Sequence, residues 1–303
     1  MSELKASIDL GTNTARLLIG GGGGNGPFLP ILLKRHITRL GGGFSRETGI
    51  SAEAAERSLE ALHDFAGEMK RHGVGTVRAV ATSAVRDAVN GNAFCERVLR
   101  ETGIKLDVID GEKEALFTLR GVLAGIDNKR GDFLIFDVGG GSTEYTLSSG
   151  ESPLFTRSLP LGVVRLTEGK VTCEAMTDKI RRELDLLTAE MRRQKLMPDV
   201  HKVTLVGTAG TATTLAAINL KMVDYDYRKV NNHTMTLAEI EGIYADLLPL
   251  TPAERLMVKG LEKGREDLII AGTLITINTM KAFGFDRMKV SDFGLLEGLL
   301  LSD

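Results

Sequence analysis

The chain has 303 residues, of which 43% are hydrophobic and 26% charged, and this composition is typical of a folded protein of about two domains. Its 38 Lys and Arg residues nearly balance 40 Asp and Glu residues, so no global basic field exists to attract nucleic acid or an anionic membrane. The two cysteines, Cys95 and Cys173, lack metal-ligand spacing and favour a reducing, cytoplasmic setting. No apolar run approaches the ~18 residues that a bilayer span needs.

Strands and helices are predicted to alternate along the chain. Residues 5–20 predict two hairpin strands, and residues 28–40 predict a third strand that ends in the basic residues Lys34, Arg35, His36 and Arg39. Residues 20–27 predict a hairpin connection, because the prolines at 27 and 30 prevent a dinucleotide-type helix from opening there. Further strands are predicted over 74–79, 105–109, 133–136, 145–147, 202–206 and 289–291. Helices are predicted over 51–69, 85–102, 111–124, 173–195, 211–219, 236–248, 252–260, 265–283 and 295–301.

Two stretches have nearly the same pattern. Residues 7–19 and residues 134–147 each contain an apolar run, an Asp, glycine with small hydroxyl residues, and a second apolar or β-branched run. This pattern predicts strand, tight turn and strand. We expect a duplicated domain whose loops face each other across a cleft, with backbone N–H groups for phosphate and carboxylates for a divalent cation. For the three glycines at 139–141, a turn that needs positive φ is the alternative explanation.

Five stretches occur in a fixed order along the chain: Asp9–Arg16, Ala81–Asn90, Ile109–Ala115, Asp137–Glu144 and Gly207–Thr211. Together they resemble the exopolyphosphatase and guanosine pentaphosphate phosphohydrolase family, within the actin-like, sugar-kinase and heat-shock ATPase fold group. Weaker support comes from residues 162–167, 265–267 and 291–298. In the last of these, Leu296 stands where the family often has Arg.

The resemblance implies an α/β fold of two actin-like (ribonuclease H-like) domains with an interdomain cleft. The first domain is expected at residues 1–121 and the second at residues 122–290. A C-terminal helix at about 291–303 is expected to pack back on the first domain. Family members are often dimers, so the resemblance also implies a homodimer.

The resemblance implies removal of a terminal phosphate from inorganic polyphosphate or guanosine pentaphosphate, and the sequence does not choose between them. Glu114 is the expected general base, although a first-turn Glu also simply favours a helix N-terminus. Mg²⁺, or alternatively Mn²⁺, is expected on Asp137 and Glu144, with Asp9 in a second water shell. An exposed strand position is the alternative for Glu144. The expected phosphate contacts are Gly11, Thr12, Asn13, Arg86, Gly139, Gly140, Gly141, Ser142, Thr143, Gly207, Thr208, Gly210 and Thr211.

Several alternatives stay open from the sequence. Arg86 and Asn90 are predicted on one helix face, where Arg86 would bind phosphate or form a surface salt bridge. The basic group at residues 34–39 would meet distal phosphates or form a solvated strand face. The whole chain would otherwise be a kinase of the same fold group, or a non-catalytic sensor of polyphosphate or guanosine tetraphosphate.

Overall fold

Strands and helices alternate along the chain, as the sequence predicts. The computed structural model describes residues 3–21, 29–44, 47–169 and 172–302. The strands are β1 (Lys5–Leu10), β2 (Thr14–Gly21), β3 (Leu29–Ile37), β4 (Thr76–Ala81), β5 (Leu106–Val108), β6 (Asp132–Val138), β7 (Thr143–Ser149), β8 (Ser152–Leu159), β9 (Val203–Thr208), β10 (Thr234–Thr236) and β11 (Arg287–Val290). The helices are α1 (Ala52–His72), α2 (Ser83–Arg86), α3 (Gly91–Thr102), α4 (Gly111–Gly125), α5 (Val163–Gly169), α6 (Cys173–Arg193), α7 (Ala209–Asn219), α8 (Tyr227–Val230), α9 (Leu237–Leu247), α10 (Pro252–Arg255), α11 (Ile269–Phe283) and α12 (Leu295–Leu300).

Two sheets share one strand order. The first is β3-β2-β1-β4-β5 and the second is β10-β11-β9-β6-β7-β8. In both, the first strand pairs antiparallel with the second and parallel with the fourth. Strand β10 is added at the edge of the second sheet. Starting from β8, the second sheet has the order β8-β7-β6-β9-β11, which corresponds strand for strand to β3-β2-β1-β4-β5 of the first sheet. This is the order of actin-like (ribonuclease H-like) domains, and it confirms the predicted α/β fold class.

The chain divides into two compact units, each with its own apolar core. Unit 1 comprises Met1–Gly121 and Leu295–Asp303, and unit 2 comprises Val122–Gly294. Strands of the first sheet pack on α1 and α3 in unit 1. In unit 2, α11 is apolar and buried along nearly its whole length, so it is the central helix of that core. No helix in the described part of the chain is long and apolar enough to cross a lipid bilayer.

Helix α12 completes the core of unit 1. Leu295 packs with Val80, and Leu296 packs with Leu18. The hydroxyl of Ser7 on β1 donates to the carbonyl oxygen of Leu296 over 2.8 Å. Leu296 is only 2% exposed. The position where the family often has Arg is therefore a core position in this chain.

Some elements differ from their predictions. No sequence pattern predicts β8, which is an edge strand with Pro153 and several exposed residues. The short elements α5, α8 and β10 are not predicted either. The helix predicted over 252–260 is wrong beyond Arg255, where α10 ends after a single turn, and Gly260 within the predicted span has a non-helical φ of 90°. Helix α11 begins at Ile269 rather than at 265. Most of the predicted hairpin connection, residues 22–28, lies outside the described residues.

We predict that Gly298→Ala lowers the free energy of unfolding by about 1–3 kcal/mol, because a Cβ on Gly298 would overlap the carbonyl oxygen of Phe117 on α4. Gly67→Ala on α1 is the control, since nothing lies within 4 Å of the added Cβ. Alanine has the higher helix propensity, so this change is expected to stabilise the protein by ~0.5–1 kcal/mol. Urea unfolding followed by circular dichroism measures both. A Gly298→Ala protein as stable as the parent would contradict the packing of α12 on α4.

Candidate active site

The two glycine-containing turns have the same backbone geometry. Gly11 N–H donates to the Thr14 carbonyl and Gly139 N–H to the Ser142 carbonyl, each over 2.9 Å. Each turn thus has two residues at its tip, 12–13 in the first and 140–141 in the second. None of the three glycines at 139–141 has a φ in the left-handed region. The alternative that these glycines serve a positive φ is therefore excluded.

The carbonyl groups of the second turn are bound by a helix. The first two amides of α5 donate to the carbonyls of Gly139 and Gly140 over 3.0 and 2.9 Å. Gly162 permits this approach, because a Cβ there would overlap the Gly140 carbonyl. In a trans peptide the N–H group points opposite to the C=O group. The N–H groups of Gly140 and Gly141 therefore point away from α5, and neither donates to an acceptor in the described part of the chain. Successive amides of this kind form an anion-binding concavity.

The first turn is held in the same way by the segment after β3. Gly41 N–H donates to the Thr12 carbonyl over 2.8 Å, and the N–H groups of Thr38 and Arg39 donate to the Asn13 carbonyl over 3.1 and 2.9 Å. A Cβ on Gly41 would overlap the Thr12 side chain, so this contact also needs glycine. The peptide geometry again turns the N–H of Asn13 away from the supporting segment.

The side chains at the tip of the first turn are buried. Thr12 and Ser83 hydroxyls are 2.8 Å apart, and both residues are under 5% exposed. Asn13 is 6% exposed, and neither Oδ1 nor Nδ2 has a hydrogen-bond partner among residues 3–21, 29–44, 47–169 and 172–302. A buried amide is costly unless it is hydrogen-bonded. Asn13 is therefore suited to bind a ligand group at this turn.

Two carboxylates lie side by side next to the second turn. Asp137 on β6 is directly opposite Glu144 on β7, so both side chains occupy the same face of the sheet. Asp137 is 8% and Glu144 2% exposed, which excludes the exposed-strand alternative for Glu144. Two adjacent buried carboxylates are stabilised by a shared proton or a cation.

This donor set fits Mg²⁺. The described residues hold no group of three or more His, Cys, Asp or Glu that would form an all-protein metal cage. Mg²⁺ usually binds to one or two carboxylates and keeps several waters or phosphate oxygens. Asp137 and Glu144 are the residues that would hold it.

The equivalent pair in unit 1 consists of a carboxylate and a guanidinium rather than two carboxylates. Asp9 on β1 is directly opposite Arg16 on β2. Arg16 donates to Asp9 Oδ2 from Nη2 over 2.6 Å and from Nε over 3.1 Å. The Asp9 charge is thus neutralised within unit 1, and its contact with a metal through water stays a prediction.

Glu114 lies in the first turn of α4 and is 9% exposed. Asp110 caps this helix, since its Oδ1 accepts from Lys113 N–H over 2.8 Å. Arg86 Nη1 is 3.7 Å from Glu114 Oε2, and it donates to the Ile109 carbonyl over 3.1 Å. The structure therefore brings the expected base next to an arginine that the sequence assigned to phosphate.

Arg86 and Asn90 do not share a helix face, so that prediction is wrong. Helix α2 ends at Arg86, and Asp87 caps it after a single turn. Asn90 precedes α3 and forms two hydrogen bonds of 2.9 Å with the backbone N–H and C=O of Ile50. Asn90 therefore fixes a loop of unit 1.

Two residues of the basic group at 34–39, Lys34 and His36, lie on the same face of β3. Lys34 donates to Asp64 and Glu68 of α1, each over 2.8 Å, and His36 Nε2 is 2.6 Å from Asp64 Oδ2. Hydrogen bonding to Lys34 is the main cause that lowers the pKa of both carboxyl groups, and the same bonds raise the pKa of Lys34. Lys34 and His36 therefore link β3 to α1.

The loop from Gly207 to Thr211 joins β9 to α7. A Cβ on Gly210 would overlap the guanidinium of Arg265, so this glycine makes room for an arginine that the sequence left without a role. Gly207 is also explained by packing, because a Cβ there would lie 2.6 Å from the Met288 sulfur. The Thr208 hydroxyl donates to the Phe293 carbonyl over 3.1 Å.

Three other residues of the expected phosphate set contribute to the local structure. The Thr143 hydroxyl donates to the Leu161 carbonyl, so it supports the second turn. Thr211 is 4% exposed and packs close to Gly272 of α11. Ser142, 5% exposed, closes the second turn through its carbonyl.

Sequence reasoning missed two features. The Tyr225 hydroxyl donates to Asp292. No sequence pattern indicated this contact, because the segment before α8 and the segment after β11 meet only in the folded unit. The second feature is a repeated Leu-Gly pair, 40–41 and 161–162, directly after the third strand of each sheet. Its repetition was visible in the sequence and identifies the segments that hold both turns.

We predict that Gly162→Ala reduces turnover at least about tenfold, because the added methyl group would displace the Gly140 peptide and the amides beside it. Gly169→Ala at the other end of α5 is the matched control, since nothing lies within 4 Å of its added Cβ. The measurement is the steady-state rate of phosphate release by both variants, and their unfolding midpoints show that both are folded. Equal rates for both variants would contradict the role of Gly162.

The chain is similar to known proteins over nearly its whole length. The sequence model of the Ppx/GppA phosphatase family matches residues 22–303. Exopolyphosphatase 2 of Mycobacterium tuberculosis is 32% identical, with 98% of this chain and 97% of that protein covered. A bifunctional 3-dehydroquinate synthase/phosphatase of Fusobacterium nucleatum is 33% identical over 98% of this chain, which spans only 46% of that protein. A guanosine-5'-triphosphate,3'-diphosphate pyrophosphatase of Aliivibrio fischeri is 28% identical, with 99% of this chain and 59% of that protein covered.

A solved structure agrees with these relatives. The crystal structure of the Aquifex aeolicus member of the Ppx/GppA family has a TM-score of 0.81 and 32% identity, and the match covers 99% of this chain and 97% of that one. With the family model, the sequence relatives and this structure in agreement, the chain belongs to the Ppx/GppA phosphatase family.

Proposed function

We propose that the protein is a Mg²⁺-dependent phosphoanhydride hydrolase that removes the terminal phosphate of inorganic polyphosphate, guanosine pentaphosphate or both. The observation that carries this proposal is the second turn: its carbonyls are bound to α5, its amides point away, and two buried carboxylates lie beside it. The names of the M. tuberculosis and A. fischeri relatives supply the two substrates.

Phosphate binding falls to the backbone in this proposal. Hydrolysis of a phosphoanhydride requires that the terminal phosphoryl group is positioned and that its charge is stabilised. The N–H groups of Gly140 and Gly141 provide fixed donors for phosphate oxygens, and their orientation is set before substrate arrives. In unit 1, Asn13 stays an expected phosphate contact, because its buried amide has no hydrogen-bond partner in the described part of the chain. Mg²⁺ on Asp137 and Glu144 would neutralise charge on the phosphate oxygens.

Glu114 is the general base in this proposal. Its carboxylate accepts a proton from the attacking water while the water oxygen bonds to the terminal phosphorus. The bond from that phosphorus to the bridging oxygen breaks, and the bridging oxygen stays with the shortened substrate. Arg86 Nη1 lies 3.7 Å from Oε2, so a cationic side chain faces the carboxylate that is proposed to accept the proton.

Phosphate release from purified protein tests the function directly. We expect release of inorganic phosphate from polyphosphate, guanosine pentaphosphate or both without any acceptor, and loss of this release when EDTA removes Mg²⁺. A strict requirement for an acceptor would instead identify a kinase. Tight binding of either substrate with no release in Mg²⁺ would instead identify a sensor.

We predict that Glu114→Gln lowers kcat by about 10²–10⁴-fold while substrate still binds, because only proton acceptance is lost. Glu112→Gln is the matched control, since Glu112 lies in the same first turn of α4 but is exposed. Single-turnover kinetics and equilibrium binding separate the two effects. Near-normal turnover of Glu114→Gln would remove Glu114 from the mechanism.

A further inference from the structure

Three side chains form a row across neighbouring strands of unit 2. Glu144 on β7 is directly opposite Asp137 on β6 and directly opposite Ser158 on β8. Directly opposed residues of antiparallel strands point to the same face, so Glu144 lies between a carboxylate and a hydroxyl. Ser158 Oγ donates to Glu144 Oε1 over 2.7 Å.

The corresponding row in unit 1 has a cationic side chain where the row in unit 2 has Glu144. There, Arg16 occupies the middle position and forms an ion pair with Asp9 at 2.6 Å. Unit 2 has a second carboxylate, Glu144, at the same position of its second strand. Ser158 lies on β8, which neighbours β7 on the side opposite to β6, so its hydroxyl and Asp137 reach Glu144 from different strands.

We propose that Ser158 is a positioning residue that orients Glu144 for the divalent cation it shares with Asp137. The proposal rests on the cation assignment made under Proposed function. A Glu side chain has three rotatable bonds, and Glu144 is only 2% exposed, so water contributes little to fixing its orientation. The hydrogen bond from Ser158 holds one oxygen in place and satisfies part of the carboxylate's need for donors in a buried site. Nothing about the Ser158 hydroxyl requires contact with substrate.

The test measures cation binding without substrate. Mn²⁺ serves as the probe, and electron paramagnetic resonance gives the fraction of free Mn²⁺ at equilibrium. We expect Ser158→Ala to weaken Mn²⁺ binding by about 10–100-fold, the usual cost of losing a hydrogen bond to a metal ligand. Ser158→Thr keeps a hydroxyl on a strand that tolerates β-branched residues, so it is expected to restore most of the affinity.

Ser148→Ala is the matched control. Ser148 lies on β7 and is fully buried, and its hydroxyl has no hydrogen-bond partner in the described part of the chain. This change removes the same atom from the same sheet, and we expect Mn²⁺ affinity to stay at the parent value. Equal losses in Ser148→Ala and Ser158→Ala would overturn the proposal, because they would show a general effect on the sheet.

Glu144→Gln distinguishes a failure of the Ser158 role from a failure of the cation site itself. Weak Mn²⁺ binding by Glu144→Gln together with parent-like binding by Ser158→Ala would overturn the role of Ser158 and leave the cation site in place. Parent-like binding by both variants would overturn the cation assignment itself. Circular dichroism and unfolding midpoints establish that each variant is folded before its affinity is compared.

Discussion

The candidate site depends on a set of backbone hydrogen bonds to carbonyl groups. In each unit, amides that follow the third strand bind the carbonyls of the turn between the first and second strands. Because a trans peptide is rigid, fixing its C=O also fixes the direction of its N–H. The glycine at 162 lets two backbones approach closely, and the glycine at 41 leaves room for the Thr12 side chain. A change that separates these segments would let the turn amides rotate, whatever side chains surround them.

The two units are copies of one backbone plan with different chemistry. Both have a two-residue turn, a supporting Leu-Gly segment and an Asp at the end of the first strand. They differ at the residue opposite that Asp, which is Arg16 in unit 1 and Glu144 in unit 2. The first choice yields an ion pair between Asp9 and Arg16, and the second places two carboxylates side by side, which are the residues proposed to hold Mg²⁺. The two similar loops therefore differ in charge at a single position of the second strand.

The sequence predicted the fold well where patterns are local. Strong caps and helical spacing placed α1 and α6 within a few residues, and the apolar runs placed the strands at both turns. It failed at β8 because an edge strand with Pro153 lacks clear alternation. It also extended α10 beyond Arg255 to include Gly260, whose φ of 90° is not helical.

The site was predictable in its residue types but not in its contacts. The repeated Asp-Gly pattern identified both turns, and the family resemblance suggested Glu114 as the base, a role that stays a proposal. The approach of Arg86 to Glu114, the salt bridge between Asp9 and Arg16 and the hydrogen bond from Ser158 to Glu144 all join side chains from separate elements. No spacing in the chain encodes such pairs, because they arise from strand register and helix packing.

Helix α12 has a consequence for the order in which the protein matures during synthesis. Unit 2 is continuous in sequence, whereas the core of unit 1 includes residues 295–300, which leave the ribosome only after all of unit 2. Domains generally fold as units as they emerge from the ribosome. Most of unit 1 is therefore synthesised before unit 2, but its core is completed after unit 2. Until then, the apolar surface around Leu18 and Val80 that α12 covers stays exposed to other nascent chains and to chaperones.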